Sequence, residues 1–356
     1  MTGTSGARRR AALRARLADA GLDALLVTHL TNVRYLTGFT GSAGALLVTV
    51  DDGDVLATDG RYTEQAAAEA PDLPLRSARG LDWVADALGD RRGGVVSDHL
   101  AWDAVRDLPL RLGAERVVAA PGHPEALRLV KDDAEVAALR RACAITAAVW
   151  RNLLGWLRPG LSERDVGRRV RDAVEDAGAD GLAFDTIVAA GPNGARPHHR
   201  PGERRLAPGD CVTVDFGAMV DGYRADMTRT VALGEPDPAL RRLADLVVEA
   251  QAAGVAAIAA GVTAGDVDAA CRDRIAAAGH GDHFVHPTGH GVGLDIHEAP
   301  ILRAGARATL RPRMAVTVEP GVYVPGFGGV RVEDTVLVTG GRADVLTDAP
   351  RELVVL

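Results

Sequence analysis

Residues 211–234 combine a β-hairpin pattern with acidic side chains inside apolar strands. The stretch reads CVTVDFGAMVDGYRADMTRTVALG, and the Asp-Gly pair at 221–222 is typical of a two-residue type I′ turn. That turn pairs Asp215 with Thr228 and leaves Asp226 two residues along on the same face, because strand side chains alternate with period two. Two like charges at this separation repel each other unless a positive charge lies between them. The pattern predicts either a cation site or, for any single acid, a solvent-facing strand.

A second pair of acids follows near the C-terminus, in MAVTVEPGVYVPGFGGVRVEDTVLV. Glu319 and Glu333 lie on two β-rich runs joined by a glycine turn, and an odd-length loop around Phe327 places both on one face. Valines flank Glu333 on both sides, so it interrupts a run typical of a buried strand. An ionised carboxylate is unfavourable there unless it is paired or bound to a metal ion.

Histidines are concentrated in one segment, GHGDHFVHPTGHGVGLDIHEAP, which holds five of the ten. A lone histidine is more often structural, but several beside glycines that allow close backbone approach favour metal binding. Four carboxylates and one imidazole suit hard divalent cations, with Mn²⁺ favoured and Co²⁺ or Zn²⁺ as alternatives, rather than a thiolate-bound metal. The oxygens are sufficient to bridge two ions, which in two-metal hydrolases lie about 3.5–4 Å apart.

Five short segments, VDFG, ADMTRT, TGHGVG, VEPG and RVEDT, resemble the aminopeptidase P and prolidase family. They carry, in order, Asp215, Asp226, His290, Glu319 and Glu333. The resemblance implies two divalent metal ions. Asp215 would chelate one ion, His290 and Glu319 would chelate the other, and Asp226 and Glu333 would bridge them.

The resemblance also implies catalytic roles. Two cations lower the pKa of a bridging water and supply hydroxide as the nucleophile at neutral pH. Glu319 would shuttle the proton of that water to the leaving nitrogen. His198, which lies 17 residues before the first aspartate (215 − 198), and His297 would stabilise the oxyanion.

Substrate contacts are implied for three residues, His286, His198 and Arg331. Arg331 lies two residues before Glu333, which predicts that it shares the strand face of that acid and supports it. The chain departs from the family pattern at His199 and Pro287, where glycine or a small residue is common. Both are expected to flank the substrate pocket.

The activity implied is hydrolysis of the Xaa-Pro bond at the N-terminus of peptides or in Xaa-Pro dipeptides, and the motifs leave aminopeptidase and dipeptidase equally open. Creatinase shares both domains but lacks the ligands, and methionine aminopeptidase usually lacks the first domain. A non-catalytic pita-bread binding module is the alternative from another class. A pocket shaped for proline has a physical basis, because proline has no N–H and a fixed φ.

Two domains are predicted. Residues 1–124 form an α/β domain, and NVRYLTGFTGSAG and DGRYTEQA within it resemble the N-terminal domain of bacterial Xaa-Pro peptidases. Residues 125–356 form the α+β catalytic domain with the pita-bread (creatinase/aminopeptidase-like) fold. After the break at PGHP, residues 127–155 are predicted to be one long helix. Other predicted elements are helices at 8–20, 61–70, 237–260 and 264–279, a helix capped at Ser162, strands at 23–29, 95–99 and 116–120, and a hairpin at 43–59.

Composition excludes several classes of function. The net charge of −7 argues against nucleic-acid binding, which usually needs a basic face. No run approaches the roughly 20 apolar residues that span a membrane. Three dispersed cysteines indicate a reducing compartment, so a cytoplasmic protein is expected. The expected partner is a peptide or dipeptide substrate, and the family resemblance implies a homodimer.

Overall fold

Two compact units, Met1–Arg128 and Leu129–Leu356, make up the computed structural model, which describes residues 3–95, 107–108, 112–113 and 116–356. The predicted domain boundary after residue 124 lies four residues before the division between the units. Each unit has its own apolar core. None of the helices in the described residues is long and apolar enough to cross a membrane.

Buried aliphatic strands form one mixed sheet in the first unit, in the order β4-β3-β2-β1-β5-β6. The predicted hairpin is confirmed, because β2 pairs antiparallel with β3. Of the strand predicted at 95–99, residues 96–99 lie outside the described part of the chain. The strands are β1 Ala24–Val27, β2 Ala45–Thr49, β3 Val55–Thr58, β4 Leu75–Ser77, β5 Gly93–Val95 and β6 Val117–Ala119.

Helices accompany this sheet at α1 Gly3–Asp19, α2 Leu30–Thr37, α3 Thr63–Glu69, α4 Val84–Leu88 and α5 His123–Arg128. The segment of α2 had no predicted structure. The glycines after it have a packing role, because a Cβ on Gly41 would lie 2.2 Å from the ring of Phe39. The glycine-rich stretch therefore closes over an aromatic ring of the core.

Four longer helices belong to the second unit: α6 Asp133–Leu154, α7 Glu163–Asp176, α8 Pro238–Ala257 and α9 Ala264–Ala277. The single helix predicted over 127–155 is wrong, because Asp132 and Glu135 form a capping box that begins α6 at Asp133. The predicted cap at Ser162 is confirmed, since its side chain accepts a hydrogen bond from the Asp165 backbone N–H.

The strands of the second unit form small, mainly antiparallel sheets, in the orders β11-β10-β7, β20-β12-β9-β8, β14-β13-β15-β18-β19 and β16-β17. One apolar core lies against α8 and α9, and the other lies against α6 and α7. The strands are β7 Gly181–Leu182, β8 Ile187–Ala190, β9 Cys211–Phe216, β10 Ala218–Val220, β11 Tyr223–Arg224, β12 Met227–Ala232, β13 Gly289–Gly291, β14 Glu298–Leu302, β15 Ala315–Val318, β16 Gly321–Val324, β17 Gly328–Arg331, β18 Asp334–Leu337, β19 Asp344–Val345 and β20 Val354–Val355.

Candidate metal centre

The first pair of acids lies on the hairpin predicted for it. Asp215 is opposite Thr228, and the turn residues Asp221 and Gly222 have φ values of 52° and 80°, as a type I′ turn requires. The hairpin divides between two sheets where Asp226 precedes β12, so this acid stands at a strand end. Its backbone is held by Thr335, whose hydroxyl donates to the Asp226 carbonyl at 2.8 Å.

A glycine permits that division. A Cβ on Gly217, the glycine of VDFG, would lie 1.8 Å from the carbonyl oxygen of Ala225. The two backbones therefore approach closely just where Asp226 begins the return strand. Because no larger residue fits, the close approach depends on glycine at this position.

The second pair of acids, Glu319 and Glu333, lies opposite each other at a gap in a β-ladder. Ala315 pairs with Leu337 and Gly321 pairs with Arg331, and continuing this register places Glu319 opposite Glu333. Both acids lie between strands rather than within them, which corrects the expectation of two uninterrupted runs. The turn is centred on residue 326, one position before the predicted centre. Glu333 is 1% exposed, and its backbone N–H donates to Thr228 at 3.0 Å.

His290 brings an imidazole to these acids. Its Nδ1 must donate to the carbonyl of Gly291 at 3.0 Å, so Nε2 faces the carboxylates in the neutral ring. Nε2 lies 3.3 Å from Glu319 Oε1 and 3.5 Å from Asp226 Oδ2. Ligand atoms of Asp226, His290 and Glu333 lie within 4.8 Å of one another. The oriented imidazole and the converging oxygens form a site suited to a metal ion.

The carboxylates perturb one another strongly. Burial raises the pKa of Asp226 and Glu333 well above their usual range, and the neighbouring carboxylates raise both further. Burial would also raise the pKa of Glu319, but the hydrogen bond and charge of His290 outweigh it and lower that pKa to about 2. Conversely, Glu319 raises the pKa of His290 against the effect of burial. The positive charge within this cluster is therefore too small to balance its carboxylates.

Two buried oxygens in the cluster have no hydrogen-bond partner, Asp215 Oδ1 and Glu333 Oε1. Most buried polar atoms in proteins are satisfied, so unsatisfied carboxylate oxygens require a reason. A divalent cation would satisfy both, and the mostly oxygen donor set suits hard cations. The residues present therefore fit the predicted metal ions.

Arg331 supplies the main fixed positive charge beside the acids. Its guanidinium donates through Nη2 to Asp215 Oδ2 at 2.8 Å, through Nε to the Thr228 hydroxyl at 3.0 Å and through Nη1 to the Tyr323 hydroxyl at 2.8 Å. Thr228 in turn donates to Glu333 Oε2 at 2.7 Å. Arg331 thus contacts Asp215 directly and Glu333 through Thr228. Neither the acid-orienting role of Thr228 nor the presence of Tyr323 at the site was predicted from the sequence.

The remaining predicted histidines surround the cluster. The ring of His297 packs edge-on against that of His290, with centroids 4.4 Å apart, and burial lowers its pKa. His198 lines the same cavity and is exposed. His286 has both ring nitrogens engaged, with Nδ1 donating to the Pro287 carbonyl and Nε2 accepting from Tyr323, each at 2.8 Å. It can therefore present only its ring carbons to a ligand.

His199 is not among the residues that line this cavity, and it lines a neighbouring one that shares His198. Its Nε2 lies 2.8 Å from Glu163 Oε2, and that carboxylate is fully buried at the start of α7. Glu163 also accepts hydrogen bonds from the backbone N–H groups of Ala190 and Gly202. The residue following His198 is thus part of a structural network. Pro287 does line the cavity, as expected.

The cavity that contains the acids has a volume of about 260 Å³ and a partly apolar lining. Besides the charged groups, the lining includes side chains without hydrogen-bonding capacity. Their spacing in the sequence has no common period, so no pattern could have identified them together. These side chains are Phe184, Ile187, Pro197, Pro287, Ile296 and Ile301.

Comparison with known proteins gives two family matches. A model described as metallopeptidase family M24 matches residues 137–340, and one described as the creatinase/prolidase N-terminal domain matches residues 9–130. Among curated proteins, the uncharacterized peptidase YqhT of Bacillus subtilis is 39% identical over 349 residues, which cover 97% of this chain and 99% of the relative.

Solved structures give the same result over the full length. The Xaa-Pro dipeptidase from Bacillus anthracis has a TM-score of 0.95 at 39% identity, with 99% of this chain and 100% of that chain covered. The X-Pro aminopeptidase from Thermotoga maritima has a TM-score of 0.90 at 30% identity, with coverage of 97% and 98%. Both kinds of activity named in the sequence analysis therefore occur among similar structures.

Proposed function

The chain belongs to metallopeptidase family M24, and from that premise we propose that it hydrolyses the peptide bond before proline, at the N-terminus of peptides or in Xaa-Pro dipeptides. Membership confirms the predicted fold class, a creatinase/prolidase N-terminal α/β domain followed by a pita-bread catalytic domain. The observation that carries the proposal is the convergence of four acids and one oriented histidine, with two buried oxygens unsatisfied.

The proposed ligands are those that the motifs indicate. Asp215 would hold one ion, His290 and Glu319 the other, and Asp226 and Glu333 both. The oxygen-rich donor set favours Mn²⁺, with Co²⁺ and Zn²⁺ as alternatives. When bound, two divalent cations supply a water of lowered pKa and a Lewis acid for the substrate carbonyl.

Glu319 is the proposed proton carrier, the role that the motifs imply. It would take the proton of the attacking water and deliver it to the leaving proline nitrogen. Thr317 orients it, because the Thr317 hydroxyl donates to Glu319 Oε1 at 3.0 Å. His198 and His297 border the cavity, where each can donate a hydrogen bond to a developing oxyanion.

Substrate binding would divide between polar and apolar walls. Arg331 fixes Asp215 and Tyr323, and His286 adds ring surface beside them. Proline has no N–H to satisfy, so its ring is suited to the apolar side chains of the cavity lining. The non-catalytic module is disfavoured, because all five ligand residues are present and the family is one of peptidases. A homodimer and a cytoplasmic location stay predictions.

The test compares Ala-Pro and Ala-Pro-Ala with Ala-Ala-Ala, using enzyme stripped by EDTA and then supplied with Mn²⁺. We expect cleavage of the proline peptides only after Mn²⁺ is restored, and the ratio of the two rates separates dipeptidase from aminopeptidase. Full activity in stripped enzyme, or equal cleavage of Ala-Ala-Ala, would contradict the proposal.

A further inference from the structure

A second cavity, of about 550 Å³, adjoins the first in the catalytic unit. The two share the lining residues Phe184, Ile187 and His198, so the cavities are immediate neighbours. The second cavity lies between α7 and the loop that follows His198. Nothing in the proposed mechanism uses it.

The charge of the second cavity is opposite to that of the first. Arg164, Arg168 and Arg171 stand at positions i, i+4 and i+7 of α7, on one helix face, and Arg200 faces them from the loop. Asp185 is the acid among the described lining residues. The first cavity, in contrast, holds four carboxylates.

Most of these arginines are available to a ligand. Arg164 contacts Glu203, but no carboxylate in the described part of the chain lies within ion-pair distance of Arg168, Arg171 or Arg200. Guanidinium groups match carboxylate geometry through paired donors. Several guanidinium groups around one cavity therefore favour the binding of an anion and repel an ammonium group.

A peptide has one terminus of each charge. Its N-terminal ammonium is repelled from the arginines, and its C-terminal carboxylate is attracted to them. One residue added after proline extends an open chain by about 3.5 Å. Since the two cavities share lining residues, the second is the space that residues beyond the proline would enter.

We propose that this second cavity binds the carboxylate of a short peptide that continues past proline, with Arg168 and Arg171 as the main contacts. The inference rests on the proposed function and deepens it, because it names free-acid peptides of the form Xaa-Pro-Yaa as preferred substrates. The arginines would act on binding, since they do not line the cavity that contains the acids.

The experiment measures kcat/KM of the Mn²⁺ enzyme for Ala-Pro-Ala and for its C-terminal amide. We expect the acid to exceed the amide about tenfold, the equivalent of one charge-assisted contact, and the ratio to fall toward one in high salt. Arg168→Gln/Arg171→Gln should bring the ratio close to one, mainly by raising KM for the acid. Arg169→Gln is the matched control, because Arg169 lies over the Trp156 ring and outside the cavity.

Each outcome decides one of the two proposals. Equal rates for acid and amide in the wild-type enzyme would overturn the second site and leave the proposed function intact. A preference that persists in the double variant would place the carboxylate elsewhere and also overturn it. If neither tripeptide is cleaved but Ala-Pro is, the second site is overturned and the proposed function stands for dipeptides. If Ala-Pro is not cleaved either, the proposed function itself fails. Circular dichroism and metal content would confirm that each variant is folded and loaded.

Discussion

Glu333 and Asp334 are neighbours in the chain, both are buried, and their surroundings differ completely. Asp334 accepts hydrogen bonds from Arg229, Arg351 and Gln251, among others, and the arginine charges outweigh burial to lower its pKa. Glu333 has one oxygen without a partner, and burial and neighbouring acids raise its pKa well above the usual range.

The difference separates two uses of a buried acid. At Asp334, the structure supplies the opposite charge, so the acid ties strands together. Around Glu333 the structure places further acids instead of an opposite charge, which is unfavourable without a cation. Burial alone therefore does not mark a functional acid. A missing hydrogen-bond partner does mark one, and pairs of variants can test that distinction.

The largest effect is expected from exchanging the two neighbouring acids for amides. Glu333→Gln should lower kcat/KM by more than the roughly 10³-fold that one oxyanion donor is worth, because it removes a proposed metal ligand. Asp334→Asn should instead lower the free energy of unfolding by about 3–5 kcal/mol, because Arg229 keeps a buried, uncompensated charge.

Kinetics and urea unfolding in EDTA measure the two effects separately. In EDTA, Glu333→Gln should unfold at a urea concentration equal to or above that of the wild type, since it relieves repulsion between acids. Equal destabilisation by both substitutions would mean that the two acids serve the same structural purpose.

Asp226 and Asp221 give a second pair, on one hairpin. Asp226→Asn should also lose more than about 10³-fold in kcat/KM, since it removes a proposed bridging charge. Asp221 is exposed at the turn and contacts Arg141, and Asn is equally suited to its positive φ, so Asp221→Asn should change the unfolding free energy by no more than about 0.5 kcal/mol. Similar losses of activity would contradict the assignment.

His198 and His199 extend the comparison to adjacent imidazoles. His198→Ala should lower kcat and kcat/KM together by roughly 10²–10³-fold with metal content unchanged, as expected of an oxyanion donor. His199→Ala should mainly lower stability, because Glu163 loses a partner. Steady-state kinetics with metal analysis would remove His198 from the catalytic set if kcat stayed normal or metal were lost.

The smallest effect is a dependence of metal stabilisation on pH. Asp226 and Glu333 have raised pKa values when folded, so the folded metal-free protein binds more protons than the unfolded chain and becomes less stable as pH rises through those values. Mn²⁺ displaces these protons and removes that loss. Thermal unfolding should show a gain in Tm of about 5 °C or more at pH 8 and a smaller gain at pH 6. A larger gain at pH 6 would be incompatible with this linkage.

Local patterns predicted much of the site. The Asp-Gly turn and period-two alternation are sufficient to place Asp215 opposite Thr228, because side-chain direction in a strand is a local property. The same argument placed Glu319 and Glu333 on one face, although the ladder opens between them. Gaps of this kind depend on packing between sheets, which no short window contains.

Contacts between distant segments could not be predicted from the sequence. Tyr323 connects His286 to Arg331, and Glu163 connects α7 to the loop of His199, across separations without periodicity. The break before α6 is a different case, because Asp132 and Glu135 have the spacing of a capping box. That signal was present and was overridden by the continuous helical composition around it.

The crowding of acids around Glu333 also affects how this chain can diverge over generations. In the metal-free protein, amide substitutions at Asp226 or Glu333 would relieve repulsion while removing proposed metal ligands, so stability without metal and activity place opposite demands on the same positions. A lineage that no longer cleaves peptides or binds metal would gain stability by losing these acids first. Its descendants would keep the hairpins and the cavity, and only the ligand positions would reveal the change.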